Sequence, residues 1–233
     1  MRMNKPPPRP APRPTDVLSA LPAELSTRLF SKARMVSLSA NETLFLAGDA
    51  GDGCFRVEEG LLKASIVSPT GGERILAIFG AGAMIGELSM IDGAPRSATV
   101  TALRDARLNF VSRPSFEAFG TDNPEVYKHM VALLAGRLRD TNGALTATTF
   151  LSVKGRVARA LLNLSEAFGH DVGNGRTLVR QKVTQSDLAA MAGIARENVS
   201  RVLQDWMKRK VVSRLAGYYC IEDRRALTGE VEV

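Results

Sequence analysis

VTQSDLAAMAGIARENVSRVL, residues 183–203, reads as two short helices joined by a tight turn. Thr184 with Asp187 three residues on has the spacing of a capping box, which satisfies N–H groups left over at a helix start. Leu188, Ala189 and Met191 then offer the buried face of a first helix. Ala192, Gly193 and Ile194 make the turn, where glycine accepts a backbone conformation other residues resist. In the second helix Val199, Val202 and Leu203 point inward, leaving Arg196, Glu197, Ser200 and Arg201 outward near its N-terminal end. A helix presented in this way fits the major groove of duplex DNA. An arginine donates two parallel hydrogen bonds to guanine, a glutamate accepts from cytosine, and each good bidentate pair discriminates by roughly 1–3 kcal/mol. Gln185 and Asn198 suit phosphates, which fix register. Lys208, Arg209 and Lys210 add salt-dependent attraction. Ala195 stands where an N-cap Ser or Thr is preferred, at a cost of roughly 1 kcal/mol.

Charge supports a polyanionic partner for this region. Residues 151–218 carry 12 Lys and Arg against 5 Asp and Glu, a surplus equal to the +7 of all 233 residues. A Pro-rich start with Arg2, Lys5, Arg9 and Arg13 adds four positive charges, so the rest of the chain is mildly acidic. Residues 1–14 cannot build a packed element and read as a disordered tail. No apolar run approaches the ~18 residues of a membrane span, and no signal-peptide core is present. Cys54 and Cys220 show no pairing or metal-binding spacing, which fits a reducing cytoplasm.

Upstream the pattern is different. Between Leu44 and Val111, Gly-rich turn signals at 48–53, 58–60, 68–72 and 80–82 separate short apolar runs. Cys54–Val57, Leu61–Val67, Arg74–Phe79, Ala98–Ala102 and Ala106–Val111 read as strands of a small β-barrel or sandwich. Asn123 and Pro124 then start a helix running to about Phe150. Met130, Leu134, Leu138, Thr141, Leu145 and Thr148 form a near-heptad stripe along it, as a dimer seam requires. Packing against its own barrel is the competing use of this helix. After a further helix at 157–168, a loop and a short strand at 177–180 lead into the helical pair.

The second constellation is IGELSMIDGAPRSATV, residues 85–100. Gly86-Glu87-Leu88 opens a short helix, and Arg96-Ser97-Ala98 begins the next strand. Helix-start N–H groups, the Arg96 cation and the Ser97 hydroxyl together suit a phosphate, while Glu87 would accept from a sugar hydroxyl. A solvated turn before a strand is the plainer reading of the same residues.

On that motif, on LFLAGD…CFRVEEG at 44–60, and on Arg196, Glu197 and Arg201, the chain resembles the CRP/FNR family of bacterial regulators, in its cyclic-AMP receptor branch. The likeness runs from about residue 20 to 222. It implies an α+β architecture: a jelly-roll-like cyclic-nucleotide-binding β-barrel at 15–122, a dimerisation helix at 123–150, and a winged helix-turn-helix at 151–233. By the same resemblance Gly86, Glu87, Leu88, Arg96 and Ser97 hold ribose and phosphate, and Ala64 and Leu76 line the pocket. Arg137 braces Glu87, Thr141 meets the base, and Asn142 reaches the pocket of a second copy. The implied effector is cyclic AMP. Because Asn142 replaces the family's usual Ser and an amide both donates and accepts, cyclic GMP or both nucleotides stay open. Implied partners are double-stranded DNA with TGTGA-like half-sites, a second copy of the chain, and RNA polymerase, without a metal or a membrane.

Other classes fit poorly. The glycines at 80, 82 and 86 miss dinucleotide-fingerprint spacing by one residue and lack a βαβ setting. His129 reads as a helix-surface residue and His170 as a loop residue, and no hydrolytic constellation emerges around them. A regulatory subunit that controls another protein would share the barrel but would not need the helical pair at 183–203.

Overall fold

The computed structural model describes residues 21–232; the proline-rich tail expected at 1–14 lies outside them. A first unit contains α1 (Ala23–Leu29), β1 (Arg34–Leu38), β2 (Thr43–Phe45), β3 (Gly53–Val67), β4 (Glu73–Phe79), β5 (Met84–Ile85), α2 (Glu87–Asp92), β6 (Thr99–Ser112) and α3 (Arg113–Asp122). The long α4 (Glu125–Phe150) leads to a second unit. That unit comprises α5 (Val153–Phe168), β7 (Gly169–Asp171), β8 (Thr177–Val179), α6 (Gln185–Ala192), α7 (Arg196–Lys208), β9 (Val212–Leu215), β10 (Tyr218–Ile221) and α8 (Arg224–Gly229).

The sheet of the first unit is antiparallel in the order β1-β6-β3-β4, with β2 also on β6 and β5 also on β3. Its path is open rather than closed into a barrel, which leaves a jelly-roll-like fold. Successive strand side chains face opposite ways, and both faces here are buried. Phe55, Ile85 and Phe110 face an inner core, whereas their neighbours Cys54, Met84 and Val111 face a second core made with α1, α3 and α4.

Two pairs of expected strands are fused. Residues 54–57 and 61–67 lie in one 15-residue strand, β3, and residues 98–102 and 106–111 lie almost wholly in the 14-residue β6. Glu58-Glu59-Gly60, expected as a turn, is instead a set of bulges where the β3–β6 register slips. Gly60 takes φ +95°, and a Cβ there would sit 2.4 Å from the Asp105 carbonyl oxygen. A bulge and a turn use the same residue chemistry, so local sequence does not separate them.

Helix α4 starts one residue later than expected, with Pro124 as N-cap. Val126, Met130 and Leu133 turn into the second core, so Met130 does not belong to an outward stripe. Val131, Leu138 and Leu145, seven residues apart, are 65%, 62% and 67% exposed on the other side. Of the two uses weighed for this helix, packing against its own β-unit is therefore observed, on a face distinct from the one that carries these exposed residues.

The second unit has its own core. Val157, Leu161, Leu164, Leu188, Val199, Leu203, Trp206 and Tyr219 are buried together. Its four-stranded sheet, β7-β8-β10-β9, closes beside the helices. His170 lies in β7 rather than in a loop, and His129 is half-buried on α4.

Gly60→Val is expected to destabilise the first unit by about 2–3 kcal/mol, because it combines a strained φ with a backbone clash. Chemical denaturation followed by tryptophan-independent circular dichroism would measure it; an unchanged midpoint would show that the bulge is not fixed by Gly60.

Candidate functional site

The site is built around a buried cation. Arg96 is 5% exposed, and its Nη1 donates to the carbonyls of Gly86 at 2.8 Å and Gly53 at 2.9 Å. The guanidinium lies 4.4 Å from the Phe45 ring centroid. Its backbone is fixed as well: Arg96 N–H donates to the Asp49 carbonyl, and the Arg96 carbonyl accepts from Gly48. Gly86 has φ +82°, and a Cβ on it would fall 2.3 Å from Nη1, so only glycine lets the chain approach this closely. Burial lowers the Arg96 pKa, an effect opposed by Asp52, Cys54, Glu87 and Asp49, and an arginine in this setting stays charged. Its Nε is buried without a hydrogen-bond partner. A fixed cation with a spare, desolvated donor suits a phosphate oxygen.

Glu87, at the start of α2, is 1% exposed. The charge is met by Arg137 of α4, which also donates to the Met84 carbonyl at 2.6 Å. The cassette is thereby tied to the long helix. Cys54 lies behind it, its thiol pushed up to about 12 by burial and by Glu87, with Arg96 opposing. It is an unreactive core side chain.

These groups open onto a cavity of about 450 Å³. Of the expected residues, Ala64, Leu76, Gly86, Glu87, Leu88, Arg96, Ser97, Arg137 and Thr141 line it. Asn142 does not; it is exposed on α4. The Thr141 hydroxyl donates to the Arg137 carbonyl at 2.9 Å.

The cavity continues further than expected, to Arg74 on β4, Asp140 on α4, and Arg156 and Arg159 on α5. Sequence reasoning missed these four. They are far apart in the chain and belong to no motif, so only the docking of the two units brings them together. That docking sets β4 against α6, with Ile78 packed on the core of the second unit. Burial raises the Asp140 pKa to about 6, against the pull of Arg139, Arg159 and Arg137.

The helical pair forms as the residues dictate. Thr184 and Asp187 make both halves of the capping box, and Gly193 ends α6 in the left-handed region. Ala195 caps α7 without a side-chain hydrogen bond. Val199, Val202 and Leu203 are buried, Arg196, Glu197 and Arg201 exposed, and Gln185, Asn198 and Ser200 half-buried. Arg209 is paired with Asp205 at 3.4 Å, whereas Lys208 and Lys210 are exposed and make no ion pair among the described residues.

A ligand-sized cavity ending in an anion-holding arginine, joined by one helix to a winged helix-turn-helix, defines a ligand-responsive DNA-binding protein. The family profile of the cyclic nucleotide-binding domain matches residues 35–123, and that of the Crp-like helix-turn-helix domain matches residues 155–229. A CRP-like cAMP-activated global transcriptional regulator of Mycobacterium tuberculosis is 32% identical over 204 residues, 88% of each chain. A cyclic AMP receptor protein of Thermus thermophilus is 35% identical over 169 residues, covering 72% of this chain and 74% of that one. Among solved structures, a CRP/FNR-family transcriptional regulator of Thermus thermophilus superposes with TM-score 0.71 at 26% identity, covering 86% of this chain and 99% of the other. The chain belongs to the CRP/FNR family: it is a CRP-like, cyclic-nucleotide-binding, DNA-binding transcription regulator and not an enzyme. Among the described residues no helix is long and apolar enough to cross a membrane.

Asp140 makes a pH test possible. A carboxyl whose pKa rises on folding stabilises the fold in its protonated form. That contribution is full below the ordinary value near 3.8 and is lost as pH rises through about 6. Asp140→Asn is therefore expected to raise the melting temperature increasingly between pH 4 and 6.5, then level off. A difference from wild type that is flat across that window would contradict the assignment.

Proposed function

We propose that the chain is a cyclic-AMP-responsive homodimeric regulator that binds palindromic duplexes with TGTGA-like half-sites. The observation that carries this reading is the buried, unpartnered Nε of Arg96 at the Glu87 end of a cavity whose other wall is α4. Arg96 and Ser97 would hold the cyclic phosphate, Gly86 would let the backbone approach, and Glu87 would use its remaining acceptor capacity on the ribose hydroxyl. Ala64, Leu76 and Leu88 give the apolar walls, and Thr141 would meet the base. The effector supplies no covalent chemistry; it brings one negative charge and a flat base to groups already in place.

Dimerisation through α4 is supported by the exposed Val131, Leu138 and Leu145, whose heptad spacing suits a two-stranded seam. Pairing there would turn the exposed Asn142 toward the other copy's cavity. The nucleotide would then favour the DNA-competent dimer by binding it more tightly than the alternative arrangement. Arg196, Glu197 and Arg201 would read base edges, with Gln185, Asn198 and Ser200 on the backbone. RNA polymerase would be the further partner, in the cytoplasm. A second reading, response to cyclic GMP or to both nucleotides, is favoured by Asn142, whose amide can satisfy either purine edge.

Fluorescence anisotropy of a labelled TGTGA palindrome at fixed salt, without nucleotide and with cyclic AMP or cyclic GMP, tests the proposal. Tightening by cyclic AMP and loss of that response in Arg96→Ala are expected. Equal binding in all three conditions would overturn it.

The DNA-facing residues separate by the same measurement. Arg196→Ala is expected to cost about 1–3 kcal/mol on the cognate duplex and to relax preference at one guanine. Lys208→Ala should weaken all duplexes alike and lower the salt slope by about 1. A sequence-dependent effect of Lys208 would assign it to base reading instead.

A further inference from the structure

Two of the three nitrogens of the Arg96 guanidinium are explained by its burial and its ligand. Nη1 donates to the carbonyls of Gly53 and Gly86, and Nε is buried with no hydrogen-bond partner. The third, Nη2, lies 3.6 Å from Oδ1 of Asp52, a contact that the binding of a cyclic nucleotide does not require. The two partners are unequal: the Arg96 side chain is 3% exposed and that of Asp52 81%. Asp52 makes no other ion pair and no side-chain hydrogen bond among the described residues.

The neighbouring carboxylates are engaged elsewhere. Glu87 is held by Arg137, and the Asp49 carboxylate accepts from the Leu46 N–H at 2.8 Å. Of the charges that favour the Arg96 cation against its burial, Asp52 acts most strongly. Its backbone is fixed although its side chain is in water. The Asp52 carbonyl accepts from the Arg113 N–H at 2.8 Å. A Cβ on Gly51 would fall 2.1 Å from the Ser89 Cβ, and one on Gly53 2.2 Å from the Val111 carbonyl oxygen. Close packing on both sides therefore holds residue 52, and a negative charge with it, beside the Arg96 end of the cavity.

We infer that Asp52 selects the ligand by charge: beside it, Arg96 accepts the single charge of a cyclic phosphodiester and disfavours the double charge of a phosphomonoester. The inference rests on the assignment of Arg96 to the cyclic phosphate. A phosphate oxygen on Nε shares one guanidinium with Asp52, so each negative charge on the ligand meets repulsion from the same carboxylate. For unit charges about 6 Å apart in water-like surroundings, the penalty is roughly three-fold in affinity per ligand charge. It is about ten-fold for a dianion, and it shrinks with added salt. Hydrolysis of a cyclic phosphodiester exchanges one negative charge for nearly two. Asp52 thereby helps the cassette to tell its ligand from the hydrolysed form of that ligand.

Displacement of a fluorescent cyclic AMP analogue from the full chain, at a pH of about 8 where a phosphomonoester is essentially dianionic, tests the inference. Cyclic AMP and 5′-AMP are the competitors, on wild type and on Asp52→Asn. The variant is expected to bind cyclic AMP about three-fold more tightly and 5′-AMP about ten-fold, a difference that narrows at high salt. Asparagine keeps the shape of an exposed side chain with no hydrogen bond to lose, so a melting temperature close to wild type is expected. Equal gains for both nucleotides would overturn the inference, because uncovering Arg96 would then act without regard to ligand charge. Weakening of both would overturn it too, by making Asp52 a positioning residue for Arg96. So would 5′-AMP that displaces nothing from either protein, since shape alone would then exclude the monoester. Cyclic AMP that fails to bind wild type would bring down the cassette reading as well, whereas a charge-blind Asp52→Asn leaves that reading intact.

Discussion

The buried pair between Glu87 and Arg137 is the interaction on which the arrangement depends. A carboxylate at 1% exposure is tolerable only when its charge is met. Here the partner comes from α4, so the electrostatic requirement of the cassette becomes a mechanical link to the long helix. Removing either member would strand the other, whereas the pair as built adds little beyond balancing its own desolvation. Its value is positional. It fixes which face of α4 looks into the cavity and leaves Val131, Leu138 and Leu145 on another face.

The cavity shows how far a fold can concentrate like charge once its backbone is committed. Arg96 is held by carbonyls and an aromatic face, with the Asp52 carboxylate 3.6 Å from its Nη2. At the other end, Arg74 meets Arg156 and Arg159 only because the two units dock there. Cassette and joint are therefore parts of one electrostatic volume, shared between the element that senses and the element that reads DNA. Rearranging the units would change the surroundings of both ends together.

Much of this was legible in the sequence where chemistry and spacing are local. The capping box at Thr184 and Asp187, the turn at Gly193 and the inward Val199, Val202 and Leu203 follow from neighbours a few residues apart. So does the cassette, whose residues lie within a dozen positions. The bulged strands did not follow, because Gly60 is equally suited to a turn and its true role depends on pairing with β6. Met130 fits the heptad spacing but turns inward, since the helical period alone does not say which stripe the sheet will cover. Asp140 and the three arginines of the joint carry no signal at all at the level of sequence. Their meeting is a product of tertiary docking.

If the cavity and the recognition helix are coupled through α4, linkage requires the effect to be reciprocal. The most direct test is the dissociation constant of cyclic AMP, measured by calorimetry with and without a saturating palindromic duplex at one salt concentration. Coupling predicts that duplex tightens cyclic AMP by the same factor by which cyclic AMP tightens duplex. An affinity indifferent to the duplex would contradict the account, leaving a nucleotide site and a DNA-binding unit that share a chain without communicating.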